Sequence, residues 1–175
     1  MKVRPAEFSD SKEIISIWNP YIKNTFVTFN ASEKSQDDVC DLIKGRRNNG
    51  HEFWVATDDD KIIGFASYDQ LRAGVGYRYS MEHTIIVSNK YKSLGVGKSL
   101  MGVLCSHAKN RDINSMWAGV SALNIAAIKF HESLEFKTVA RLPEVGYKFG
   151  SFIDLVLMRK RCLLYTSPSP RDVEE

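Results

Sequence analysis

The sequence predicts one mixed α/β domain, a β-sheet flanked by helices, and three observations carry that prediction. Segments rich in β-branched and aromatic residues alternate with segments of helical apolar spacing, in the order β-α-α-β-β-β-α-β-α-β-β. The stretch Glu82 to Leu104, EHTIIVSNKYKSLGVGKSLMGVL, runs from strand through a glycine loop into a helix without a break. The chain has 175 residues, of which 43% are hydrophobic and 26% charged, enough to bury a single core.

The elements follow in order. Val3 to Ala6 is a short strand candidate, and Ser9-Asp10 is positioned to cap a helix whose stripe is Ile14, Ile15, Ile17, Trp18, Tyr21 and Ile22. Asn24 to Asn30, NTFVTFN, is a connecting segment that either plugs the core or walls a substrate pocket. Ser35 to Asn48 is a second helix, with Val39, Leu42 and Ile43 inward and Arg46-Arg47 at the carbonyl end, where positive charge is favoured. Phe53–Ala56 and Lys61–Tyr68 form a hairpin across an acidic turn, and Gly64 inside a strand marks a bulge or a close backbone approach. Gln70 to Gly76 is a loop, and residues 77–82 lead into the central strand at Thr84–Val87.

Beyond the central helix, Ser115–Val120 is a strand, Asn124–Leu134 a short helix and Phe136–Ala140 a strand. Arg141 to Gly150 holds Pro143, Gly146 and Gly150 and is expected to be a loop before a closing strand at Phe152–Met158. The domain is expected over residues 1–161. Residues 162–175, CLLYTSPSPRDVEE, change abruptly to Ser, Pro and charge and are expected to be a disordered tail, a cloning or sequence-assembly scar in character.

The net charge of +3 is mild, and no Lys/Arg cluster with interleaved aromatics points to nucleic acid. Cys40, Cys105 and Cys162 are odd in number and widely spaced, as reduced thiols are. No apolar run spans a membrane and no leader is evident, so a cytoplasmic protein is expected. No metal-ligand constellation is apparent.

The central stretch favours an anion. A strand, glycines and a helix start present several backbone N–H groups at a positive helix terminus, and Gly95 and Gly97 leave room for a close approach. Gly97-Lys98-Ser99 matches the end of a Walker A loop, but the glycine that motif requires five positions earlier is Lys92, so that reading fails. Lys92-Ser93-Leu94-Gly95-Val96-Gly97 instead resembles the pyrophosphate loop of the GNAT superfamily of N-acetyltransferases, Gln/Arg-x-x-Gly-x-Gly/Ala. Lys92 keeps the charge there but not the planar donor.

Asn124 to Phe136, NIAAIKFHESLEF, is similar to a second pattern of that superfamily, with Glu135 where the family has glycine. NPYIKNTFVTFN, YRYSMEHTIIVSNKYKSLGVGKSL, His131-Glu132 and VGYKFGSFIDLVLM resemble the phosphinothricin acetyltransferase branch, in the right order over residues 1 to 160. The resemblance implies a central, mostly antiparallel sheet with a cofactor cleft at splayed central strands, acetyl-CoA as cosubstrate, no metal, a small amino-acid-like amine as acceptor, and often a homodimer.

Residue by residue, the resemblance makes Glu82 the general base and His131 a proton-handling group. The strand Ile85, Ile86 and Val87 would bind the pantetheine arm through its backbone, as an added strand binds a sheet edge. Lys92, Ser93, Leu94, Gly95, Val96, Gly97 and Lys98 would hold the pyrophosphate, and Asn124 would contact the cofactor. Phe29, Arg72, Arg78 and Tyr79 are acceptor-pocket candidates. These roles fit the chemistry, because an ammonium must lose a proton before it attacks and a departing thiolate must gain one. His51, His83 and His107 lie outside any such pattern. Two rival readings remain, a protein N-terminal or lysine acetyltransferase and a CoA-binding module without catalysis.

Overall fold

A computed structural model of the chain describes residues 1–163. Seven strands form one sheet: β1 (Lys2–Pro5), β2 (Phe53–Asp58), β3 (Lys61–Gln70), β4 (Ser80–Val87), β5 (Ser115–Ser121), β6 (Lys137–Lys148) and β7 (Ser151–Arg161). Four helices flank it: α1 (Ser11–Asn24), α2 (Gln36–Asn48), α3 (Val96–Asn110) and α4 (Ile125–Ser133). The strand order is β1-β2-β3-β4-β5-β7-β6, and every neighbouring pair is antiparallel except β4–β5. The mixed, mostly antiparallel sheet expected from the sequence is the one the chain adopts.

Each face of the sheet carries its own core. Leu100, Met101 and Leu104 of α3 pack with Tyr68, Met81, Met116 and Phe136 on one face. Ile14, Trp18 and Ile22 of α1 pack with Val39 and Ile43 of α2 and with Phe53, Phe65 and Ile86 on the other. Strand alternation sorts β4 between them: Met81, Ile85 and Val87 face α3, and Ile86 faces α1. The buried runs of β2 and β3 are therefore continuous rather than alternating, because both faces are covered.

Local chemistry sets the helix starts. Ser35 lies just outside α2 and caps it: its Oγ accepts from the Asp38 N–H at 3.1 Å, and the Asp38 carboxylate accepts from the Ser35 N–H at 2.8 Å. The expected Ser9-Asp10 cap is different. The Asp10 carboxylate accepts from the Glu7 N–H at 2.7 Å and from the Arg4 guanidinium at 2.8 and 3.0 Å. It closes the turn before α1 and ties that turn to β1, so no side chain caps α1 itself.

The largest correction concerns Arg141 to Gly150, expected as a loop. Most of it belongs to β6, which runs to Lys148 through register shifts at Thr138/Ala140 and Leu142/Gly146. Pro143 is tolerated because β6 is the outermost strand and the irregularity falls on that residue's side of Leu142. Asp154 of β7 accepts from the Glu144 N–H at 2.9 Å and from Arg141 at 2.7 Å, which holds the irregular segment. Gly146 meets the NTFVTFN segment directly, since a Cβ there would stand 2.5 Å from the Phe29 ring. Buried Lys148 adds a hydrogen bond from Nζ to the Thr28 carbonyl at 2.7 Å.

Gly64 makes the close approach that its place in a strand implied: a Cβ would lie 3.1 Å from the Ile86 carbonyl oxygen. Cys162, expected to begin the tail, is instead buried in the core, and its N–H donates to the Asn114 carbonyl at 3.0 Å. The rest of that expected tail, residues 164–175, lies outside the described residues. No helix among the described residues is long and apolar enough to cross a membrane.

Glu135, where the resembled family has glycine, sits at φ +69 in the turn between α4 and β6. The left-handed region costs a side-chain-bearing residue about 1–2 kcal/mol, partly offset by the entropy glycine would add to the unfolded chain. Glu135→Gly is expected to stabilise the protein by about 1 kcal/mol, seen as a rise of about 2–4 °C in thermal midpoint. A fall in the midpoint would contradict the strain.

Candidate active site

The site is built where the one parallel strand pair ends. β4 and β5 pair only from Ser80↔Ser115 to Glu82↔Trp117, while β4 continues to Val87 and β5 to Ser121. The strands fork there. β4 stays paired with β3 on its other edge through Gly64↔Val87, so the fork leaves its β5-facing edge without a strand partner. Ile85, Ile86 and Val87 lie along that edge, their side chains split between the two cores.

Glu82 occupies the last paired rung. Its carboxylate reaches across the fork toward β5, where a Cβ on Gly119 would stand 3.6 Å from Oε2. Gly119 thus leaves the carboxylate a passage, a role the sequence does not suggest. Solvent reaches Glu82, and no hydrogen-bond donor among the described residues engages it. The surrounding strands still strip water from the carboxylate and raise its pKa above the ordinary range. A carboxylate that is poised upward and uncommitted can accept a proton.

The glycine loop ahead of α3 takes the backbone form expected of it, with one change in the part Gly97 plays. Gly95 precedes α3 at φ +81, in the left-handed region, with open space where a Cβ would be. No side chain caps α3, so its first-turn N–H groups are left for another acceptor. Lys92, Ser93, Leu94 and Lys98 are exposed around them, whereas Val96 is buried and can contribute only its backbone. Gly97, expected to leave room for an anion, instead leaves room for α4: a Cβ would stand 2.9 Å from the Phe130 ring.

One further residue, Tyr21, shapes this end of β4. The Tyr21 hydroxyl lies 2.6 Å from the Val87 carbonyl, and the Lys92 ammonium sits 5.1 Å from the Tyr21 ring centroid. Tyr21 therefore fastens α1 to the strand end and to the first residue of the loop. The sequence offered it only as one member of an apolar stripe. Asn124 caps α4, its Oδ1 accepting from the Ala127 N–H at 3.1 Å, which leaves its amide N–H₂ without a partner among the described residues.

His131 is buried in α4, and both its ring nitrogens are engaged. Nδ1 lies 2.7 Å from the Ala127 carbonyl, and Nε2 lies 3.1 Å from Nε2 of His83. Burial lowers the pKa of both imidazoles. Because His83 follows Glu82 on the strand, the two point to opposite faces of the sheet. His131, bonded to His83, is therefore on the face away from the Glu82 side chain. The structure does not join Glu82 and His131 in one hydrogen-bonded pair. His83 lies outside the family's motifs, although its alternation with Met81 and Ile85 marks it as an inward histidine on an apolar face.

The acceptor-pocket candidates divide into two groups. Arg72, Arg78 and Tyr79 are exposed in the β3–β4 connection, where Arg78 stacks 4.6 Å from the Tyr79 ring and Arg72 5.8 Å from that of Tyr77. Phe29 packs against Gly146 of β6 and is half-buried. No group of three His, Cys, Asp or Glu able to hold a metal occurs among the described residues.

Comparison with known proteins agrees with this geometry. The chain is 29% identical over 168 residues to the L-methionine sulfoximine/L-methionine sulfone acetyltransferase of Salmonella typhimurium, covering 96% of this chain and 98% of that protein. It is 28% identical to the phosphinothricin N-acetyltransferase of Streptomyces coelicolor, over 89% of this chain and 92% of that one. A Salmonella typhimurium acetyltransferase solved with its cofactor acetyl-CoA superposes with a TM-score of 0.91 at 29% identity, over 97% of this chain and 98% of that one. The ribosomal-protein-alanine N-acetyltransferase of Brucella melitensis gives 0.89, also at 29% identity, over 92% and 99%. The model of the acetyltransferase (GNAT) family matches residues 13–136, from α1 through the fork and the glycine loop to the turn after α4. The chain belongs to the GNAT family of acetyltransferases.

Proposed function

We propose that the protein transfers the acetyl group of acetyl-CoA directly to the primary amine of a small amino-acid-like acceptor, of the methionine sulfoximine, phosphinothricin or L-amino-acid type, with Glu82 as general base. The observation that carries the reading is the position of Glu82. It is an uncommitted carboxylate of raised pKa at the point where β4 and β5 part. From there it takes a proton from an ammonium held in the fork, and the amine freed by that step attacks a thioester lying along the open edge of β4. The backbone of Ile85–Val87 would align the pantetheine arm. The first turn of α3 with Lys92 and Lys98 would hold the pyrophosphate, and the free amide of Asn124 would reach the cofactor. Relatives of nearly the same length that act on such acceptors support the substrate class.

The acceptor is identified by thiol release from acetyl-CoA over a panel of L-amino acids, methionine sulfoximine, methionine sulfone, phosphinothricin and a peptide beginning with alanine. Turnover is expected with the small acceptors. Turnover with the peptide alone would transfer the reading to a protein substrate, which the likeness to the Brucella enzyme favours. Tight acetyl-CoA binding without any turnover would leave a binding module.

The same proposal includes a homodimer in the cytoplasm. The three cysteines are unpaired, as suits a reducing compartment. The outermost hairpin exposes Val145, Tyr147, Phe149 and Phe152, each more than half accessible, on strands that end the sheet. Light scattering is expected to give twice the chain mass, and Tyr147→Lys with Phe152→Glu is expected to give the monomer. A monomeric wild type would refute the pairing.

A further inference from the structure

The His83–His131 pair has a property that neither ring has alone. The Ala127 carbonyl can only accept, so the proton facing it belongs to His131 Nδ1. With His131 neutral, its Nε2 is then a bare lone pair. The 3.1 Å bond to His83 needs one proton between the two Nε2 atoms, which must sit on His83. His83 Nδ1 is left as a lone pair, and it is the buried side-chain atom with no hydrogen-bond partner among the described residues. A buried acceptor without a partner is unfavourable, since it has lost its water without gaining a donor.

The surroundings keep the pair neutral. His83 is 8% exposed and His131 4%. The rings lie 5.1 Å apart at 19°, with Phe136 edge-on to both and Phe130 edge-on to His131. Apart from each other, no titratable group among the described residues acts on either imidazole. Tyr68, opposite His83 on β3, has its hydroxyl engaged with His107 at 2.8 Å.

We propose that His83 and His131 take up one proton from solvent as a unit, on His83 Nδ1, the one lone pair of the two rings that has no partner among the described residues. The proton on His83 Nε2 passes to His131 Nε2, and the positive charge comes to rest on His131. The step is balanced: one proton is gained, His83 changes tautomer and remains neutral, and His131 becomes imidazolium. His131 is the ring suited to hold the charge. Its Nδ1–H faces a carbonyl and its Nε2–H faces His83. It also lies in the last turn of α4, where the helix carbonyls favour a cation. His83 is thus a positioning residue that holds His131 in one tautomer and supplies the lone pair on which the pair gains its proton.

The use of this pair rests on the acetyl-transfer reading. Converting an ammonium and a thioester to an amide and a thiol takes two protons from the nitrogen, gives one to sulfur and leaves one over. Glu82 handles a proton on one face of β4, and the pair handles one on the other.

Imidazole nitrogen NMR of the full chain, labelled with ¹⁵N-histidine, tests the inference without any acceptor. At neutral pH His131 is expected to carry its proton on Nδ1 and His83 on Nε2. On acidification both should report one shared midpoint, displaced below the ordinary histidine value of 6.5. Two separate midpoints, or His83 already protonated at Nδ1, would overturn it. In His83→Gln the amide can still donate to His131 Nε2, so the His131 tautomer should persist while the shared uptake is lost. An unchanged midpoint for His131 would also overturn it. For transfer, His83→Gln is expected to lower kcat about 100-fold with KM for acetyl-CoA unchanged, and an unchanged kcat would remove the pair from the reaction. Shared uptake in a protein that acetylates nothing would instead sink the transfer reading and leave the proton site standing.

Discussion

Glu82→Gln is expected to lower kcat/KM by about 10²–10⁴-fold, the usual worth of a general base, while leaving acetyl-CoA binding intact. The amide is close to isosteric, so the passage over Gly119 stays open. The pH dependence follows from the sign of the shift. Glu82 must be ionised to accept a proton, and burial raises its pKa. The acid limb of the wild-type profile should therefore lie above that of an ordinary carboxylate and disappear in the glutamine variant. Stability runs the other way. A carboxyl group whose pKa is raised in the fold stabilises the fold while protonated, and that contribution is lost as pH rises through the folded value. At neutral pH the ionised group is a cost, so Glu82→Gln should melt no lower than wild type. A variant that loses activity and unfolds together would assign Glu82 to structure. One that keeps its turnover would end its candidacy as the base.

Gly97→Val is expected to destabilise the protein by about 1–3 kcal/mol through overpacking and to weaken acetyl-CoA binding about tenfold. A Cβ at this position would already stand 2.9 Å from the Phe130 ring, so the two further methyls of valine must displace α4 or the first turn of α3. The second variant Phe130→Leu in the same chain checks the cause. If the ring is what valine meets, the double variant should recover much of the thermal midpoint and of the affinity, because residues in contact do not add independently. Additive losses would show that Gly97 is required by the ligand rather than by α4. Calorimetric titration with CoA and thermal melting suffice for both readings.

The case of Gly97 indicates how far a motif can be read. A glycine two residues into a helix after a strand is equally consistent with an approaching anion and an approaching side chain, since both need the missing Cβ. The difference lies in Phe130, distant in the chain. The same holds for Pro143 and Gly146, which mark a loop in sequence and sit in a strand in the fold. A proline is excluded from the middle of a sheet but accepted at its edge, and the edge is a fact about strand order.

By itself the sequence determined the mixed sheet, the succession of elements from β1 to α4, the glycine turn at Gly95 ahead of α3 and the family to which these motifs belong. Each of these rests on neighbours in the chain, through the side-chain period of a strand or helix or the φ that glycine permits. Only the tertiary structure decided where β4 and β5 part, that Glu82 reaches over Gly119, that Tyr21 fastens the strand end and Lys92, and that His83 meets His131 on the face away from Glu82. Those contacts join residues far apart in sequence. Their geometry follows from strand order and helix packing, which the local pattern of residues does not encode.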